Sequence, residues 1–120
     1  MRGPLAGLAV AIVAGACASV QYPSTPDATP DITLAAAAID SARGVGADSL
    51  AREVLQSAQS NLAVARDSER QGQRGRAAFK ARLAHADAVY ARALAERTAA
   101  ERRRAEEQTA LGSNPNGGTE

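Results

Sequence analysis

Aromatic side chains are almost missing from this chain of 120 residues: Tyr22, Phe79 and Tyr90 are all it has, and there is no tryptophan. Cysteine occurs once, as Cys17, and histidine once, as His85. A single cysteine excludes an intrachain disulfide framework, and one of each excludes a metal site assembled from several such ligands. Neither sign of charge prevails, with 14 Lys and Arg against 13 Asp and Glu, so no basic field is available to capture nucleic acid. What the chain has in quantity is alanine, 30 residues of it. A chain this long forms at most one domain. With alanine as its main apolar residue, that domain must have a thin core in which helix backbones approach closely.

The longest apolar run, LAGLAVAIVAGA over residues 5–16, follows the short basic start Met1-Arg2-Gly3. Its twelve residues would span about 18 Å as a helix, whereas a bilayer core needs roughly 20 residues. The run therefore reads as the core of a signal peptide over residues 1–16. It ends in Ala14-Gly15-Ala16-Cys17, small residues directly before a cysteine. This order resembles the lipobox of bacterial lipoproteins, where the cysteine thiol takes a diacylglycerol and the bond before it is cut. The resemblance implies cleavage between Ala16 and Cys17 and lipid on Cys17. It departs from the usual pattern in having Ala14 where leucine is common. Ala14-x-Ala16 and Ala16-x-Ala18 also suit a general signal peptidase, so secretion without lipid is the alternative. Ala18 and Ser19 follow the cysteine with no aspartate between, which in the sorting pattern of enteric bacteria implies the periplasmic face of the outer membrane.

Residues 17–30 carry Pro23, Pro26 and Pro30 with no apolar periodicity, the composition of an extended tether that reaches roughly 40 Å at polyproline rise. A helical domain is expected over 31–111. Thr29-Pro30-Asp31 signals its start, with a hydroxyl cap, proline in the first turn and an acid at the positive end of the dipole. Ile32, Ala35, Ile39 and Ala42 then recur at three- and four-residue spacing, until Gly44 and Gly46 end the helix. A second helix, capped by Asp48 or Ser49, places Ala51, Leu55, Ala58, Leu62 and Ala65 on one face, widened by Leu50 and Val54. After a break at residues 72–75 a third helix starts near Arg76 and continues to Ala110. In it Phe79, Leu83, Ala86, Tyr90 and Ala93, with Leu94 beside them, are expected to face the core. Residues 112–120, with GSNPNGG at their start, read as a disordered tail. The fold class is therefore all-α, an antiparallel helical hairpin or three-helix arrangement with a long C-terminal helix.

From about Ala35 to Ala100 the chain resembles the family catalogued as domain of unknown function 4398, small Ala-rich helical domains of bacterial envelope lipoproteins. The residues that carry the resemblance are Ala38-Ile39-x-x-Ala42, Gly46-Ala47, Glu53-x-Leu55-x-x-Ala58-x-x-x-Leu62-x-x-Ala65, and Leu83-Ala84 with Asp87-Ala88-x-Tyr90-Ala91. Where that family commonly has Ala-Pro at the start of its second helix, this chain has Ala51-Arg52, so an earlier start of that helix is expected.

No constellation for catalysis stands out. His85 has no second ligand or nucleophile at a workable spacing, and Asp87 lies on another part of the helix surface. The hydroxyls of Ser41, Ser49, Ser57, Ser60 and Ser68 occur without a phosphate loop or nucleophile elbow. No enzyme activity and no cofactor are expected, and a catalytic use of His85 is the reading to be tested against that. Arg102-Arg103-Arg104 is followed by Glu106-Glu107, so Arg102/Glu106, Arg103/Glu107, Arg92/Glu96 and Arg97/Glu101 are all i,i+4 pairs of an exposed helix. The third helix is longer than the second and should project beyond it. Its end, with Arg97, Ala100 and Arg104 on long-charged, small-residue ground, is the candidate partner-binding segment, expected to fray alone and to order against another envelope protein or a second copy. The functional expectation is a lipid-anchored periplasmic module that serves as a binding or structural adaptor. The alternative is a secreted, non-lipidated periplasmic chaperone or subunit.

Overall fold

A computed structural model describes residues 27–113. The described chain begins with Asp27, whose Oδ1 accepts the Thr29 N–H at 2.9 Å. That bond satisfies one of the orphan donors at a helix start, and Pro30, which has no N–H to lose, occupies the first turn of α1, Thr29–Gly44. The N-cap position is Ala28, which has no polar side chain to cap with, so the expected Thr29 hydroxyl cap is not formed: Thr29 is already the first residue of the helix, and the bond there comes from Asp27, one residue before the cap. The α1 helix ends where Gly46 takes φ +85° and its N–H bonds the Arg43 carbonyl at 2.9 Å. A side chain would be strained in that left-handed conformation. The Gly46 carbonyl then accepts the N–H groups of Ser49 and Leu50, so one glycine both ends α1 and opens the next turn.

That turn is a separate element, α2, Ala47–Leu50. At Ala51 the backbone leaves helical values, with φ −144° and ψ 40°, and α3 runs from Arg52 to Arg70. The single second helix expected from Asp48 onward is therefore split, because α2 closes the corner between α1 and the line of α3. Gly72, at φ +73°, ends α3. The Gly72 N–H reaches the Glu69 carbonyl at 3.0 Å and the Gln73 N–H reaches the Ser68 carbonyl at 2.8 Å, the paired bonds of a Schellman stop. The last helix, α4, is Arg74–Gly112, two residues earlier and two later than the sequence bounds. Among the described residues there are four helices and no strand.

The long α4 is the axis on which α1 and α3 both pack, and α1 and α3 touch each other less. Its buried side is a ladder of one residue type: Ala77, Ala81, Ala84, Ala88, Ala91 and Ala95, at spacings of four and three, with Ala78 beside the first. Against it α1 presents Ala35, Ile39 and Ala42, and α3 presents Leu55, Ala58, Leu62 and Ala65. Leu55 is the largest side chain that is fully buried. Ile39, Leu55 and Leu62 are knobs, and a methyl-lined helix is the flat ground that receives knobs from two sides at short interaxial distance.

This overturns the expected inner face of the last helix. Phe79, Leu83, Ala86, Tyr90 and Ala93 are all exposed, and Leu94 is half-buried. Both lines on α4 have the same helical period, and the line of small residues goes inside because the partners already bring the bulk.

Polar ties fix the register. Asp87 Oδ2 accepts the Ser57 hydroxyl at 2.7 Å and Asn61 Nδ2 at 3.1 Å, across the α3–α4 contact. On the other flank Arg82 Nε donates to Asp31 at 3.2 Å and Arg92 Nη1 to the Ser41 hydroxyl at 2.9 Å.

Candidate partner-binding face

The 39 residues of α4 extend about 58 Å, while the 19 residues of α3 extend about 28 Å. The last fully covered side chain on α4 is Ala95, residues 98–100 are half-buried, and residues 101–113 are exposed without exception. The helix therefore leaves the body for its last three turns and stays helical there, without a neighbour among the described residues. Arg97 and Arg104 are exposed and Ala100 is half-buried at the exit.

Arg97 Nε donates to Glu101 at 2.9 Å. That hydrogen bond, reinforced by the carboxylate's charge, holds the guanidinium above its ordinary pKa range. Arg92 and Glu96 close the same kind of pair at 2.9 Å. The expected pairs Arg102/Glu106 and Arg103/Glu107 do not close, because nothing beside them restricts their long side chains and water competes for each charge. Those four groups stay spread along an open helix.

Two features that lie apart in the sequence are joined on α4. Starting at Phe79, the outward line runs through Leu83, Ala86, Tyr90 and Ala93, and the same alternation of four and three continues to Arg97, Ala100 and Arg104. The candidate partner residues are thus the far end of a single stripe about 38 Å long. Its apolar half is well exposed, with Phe79 at 49%, Leu83 at 37% and Tyr90 at 59% of full exposure, and Val89 beside them at 51%. One signal for this was present in the sequence. A stripe that passes into Arg97 and Arg104 without a break cannot be the buried one.

His85 is exposed and borders a shallow groove of about 270 Å³ between α1 and α4, with Leu34, Ala38, Ser41 and Val89 among its walls. The Ser41 hydroxyl there is engaged by Arg92. Among the described residues no three His, Cys, Asp or Glu side chains are grouped to hold a metal ion. No helix among them is long and apolar enough to cross a membrane. Cys17 and Ala16, the expected lipidation and cleavage residues, lie outside the described residues, as do the tether up to residue 26 and the tail from 114.

Fold and surface together define an all-α module seamed with alanine, one long helix carrying two shorter ones. Residues 30–107 match the model of the family described as Domain of unknown function (DUF4398), and the chain belongs to that family. No curated protein and no solved structure matches it.

Proposed function

We propose that this chain is a lipid-anchored periplasmic module that acts as a binding or structural adaptor in the bacterial envelope. The observation that carries the reading is the outward stripe of α4, which keeps its largest apolar side chains in water and runs on into a projecting helical end. Exposed apolar ground that continues along a rigid element is the mark of a protein-binding surface. The signal segment, the small residues before Cys17 and the proline-bearing stretch after it support anchoring on the periplasmic face of the outer membrane. A lipid on Cys17 and the tether would hold the body off the bilayer with this face free.

Two experiments test the reading. Palmitate labelling of the wild type against Cys17→Ala tests the anchor: label lost in the variant supports it, and equal label or none in either rejects it in favour of a secreted, non-lipidated chaperone or subunit. A photoreactive residue at Arg97 or Arg104 in the intact envelope tests the adaptor role. A discrete crosslinked partner supports it, and no adduct from either position rejects it.

A further inference from the structure

We infer that the apolar half of the α4 stripe is a self-pairing surface, on which a second copy of this chain packs antiparallel. The inference rests on the adaptor reading for its use in the cell and names one partner. It draws on residues 79–97 and not on the projecting end, so the two ideas can fail separately.

The face is open because the neighbours of α4 occupy its other sides. On one flank α1 is tied through Arg82–Asp31 and Arg92–Ser41. On the other, α3 is tied through Asp87 to Ser57 and Asn61. The residues between these flanks are Leu83, Ala86, Tyr90 and Ala93, with Phe79 and Arg97 at the ends and Val89 alongside. They repeat at the spacing of a coiled-coil seam.

Orientation follows from size and charge. In an antiparallel pair whose two-fold axis passes at the level of residue 88, with the two Val89 side chains flanking it, Leu83 of each copy meets Ala93 of the other and Tyr90 meets Ala86. Leu83 and Tyr90 then each face a small residue, as interdigitating layers require. The same register brings Arg97 of each copy to the level of Phe79 of the other. It also places Arg82 opposite Glu96, twice by symmetry. Their present partners, Asp31 and Arg92, leave both groups partly exposed, so each can share its charge with a second carboxylate or guanidinium. A parallel pair fails on the same residues. Leu83 would face Leu83 and Ala86 would face Ala86, Arg97 would stand against Arg97, and Glu96 would come beside Glu101.

The test uses the full chain. Leu83→Cys and Ala93→Cys are made separately, co-expressed under different tags and oxidised, and Val89→Cys is made alone, with crosslinked peptides mapped by mass spectrometry. The expected products are a Val89→Cys self-crosslink and a mixed crosslink between Leu83→Cys and Ala93→Cys. Neither of the latter two should link to itself, since in this register two copies of residue 83 lie about 15 Å apart along the axis. Glu96→Arg should weaken dimerisation by about tenfold, and Arg82→Glu in the same chain should restore it, with helicity by circular dichroism unchanged. Self-crosslinks at residue 83 or 93, or no crosslink at residue 89, overturn the inference. A photo-adduct from Arg104 to a different envelope protein, with no crosslink at residue 89, overturns self-pairing and leaves the adaptor reading standing.

Discussion

Replacing Ala88 with leucine should destabilise the helical body far more than removing Leu83, although by hydrophobicity alone the opposite holds. Ala88 has no exposed surface and lies within the ladder that receives Ile39, Leu55 and Leu62. A leucine adds three carbon atoms to a seam whose width is set by methyl groups. It must push α1 or α3 away or take a strained rotamer, which costs about 1–3 kcal/mol and more where relief is poor. Leu83 is 37% exposed on the outward line and is not part of the ladder, so Leu83→Ala opens no gap in the seam. Surface changes of that kind stay within about 0.5 kcal/mol.

The assay is thermal unfolding followed by circular dichroism at 222 nm, run at two protein concentrations so that any contribution from self-pairing appears as a concentration dependence. For a body of this size 1 kcal/mol corresponds to about 4–8 °C. Ala88→Leu should therefore lower the midpoint by roughly 4–24 °C, and Leu83→Ala at the lower concentration by no more than about 4 °C. A Leu83→Ala midpoint below that of Ala88→Leu would refute the assignment of the inner and outer faces of α4, and with it the proposed binding surface.

Asp87→Ala removes the acceptor shared by Ser57 and Asn61, and because that contact is partly exposed the expected loss is about 1–2 kcal/mol, read as a shift of the urea midpoint with the slope unchanged. The Asp27 carboxyl is held below the ordinary carboxylate range, chiefly by the Thr29 backbone N–H it accepts. Its contribution to the start of α1 is therefore complete above the unfolded value of about 3.9 and is lost as pH falls through the lower folded value. The Thr29 amide resonance should report this in an NMR titration, and Asp27→Asn should flatten it. A chain ending at Arg97 keeps the whole alanine ladder through Ala95, so its midpoint should remain within about 4 °C of the full chain, while crosslinks from the projecting end are lost.

The two shorter faces were legible because on them alanine and larger residues share one line and the opposite side is polar. Ala35, Ile39 and Ala42 on α1, Ala51 at the corner, and Leu55, Ala58, Leu62 and Ala65 on α3 are all buried as their spacing predicts, with Ile32 half-buried at the start of α1. On α4 two lines share the helical period, and ranking by hydrophobicity selects the line of larger residues. Packing selects the other, because the depth of contact between helices is limited by the largest residue in the seam. The break at Ala51 had no local signal, since nothing about an alanine announces non-helical angles. The Asp27–Thr29 bond had no distinct signal, because the hydroxyl next to Pro30 offers the same capping chemistry. That residues 101–113 lie past the end of α3 was legible from helix length alone. The membership of Arg97, Ala100 and Arg104 in a longer stripe was not, because the apolar part of that stripe has the period of a core face.

The alanine ladder and the exposed stripe are two consequences of one choice of residues. A helix that carries two partners on a methyl-lined face gains close contact and high intrinsic helicity, but it gives up the transfer free energy that larger side chains would have supplied, roughly 1.5–3 kcal/mol for each one fully buried. Among the side chains larger than alanine on α4, Phe79, Leu83, Val89 and Tyr90 remain exposed, so that energy is withheld from the isolated fold. It becomes available only when something covers the outward face. Binding at this face and stability are then linked, since any occupant that recognises the folded form raises its apparent stability by mass action. A partner for this module should therefore be detectable as an increase in unfolding midpoint, and substitutions at Leu83 or Tyr90 should abolish that increase while leaving the midpoint of the free chain nearly unchanged.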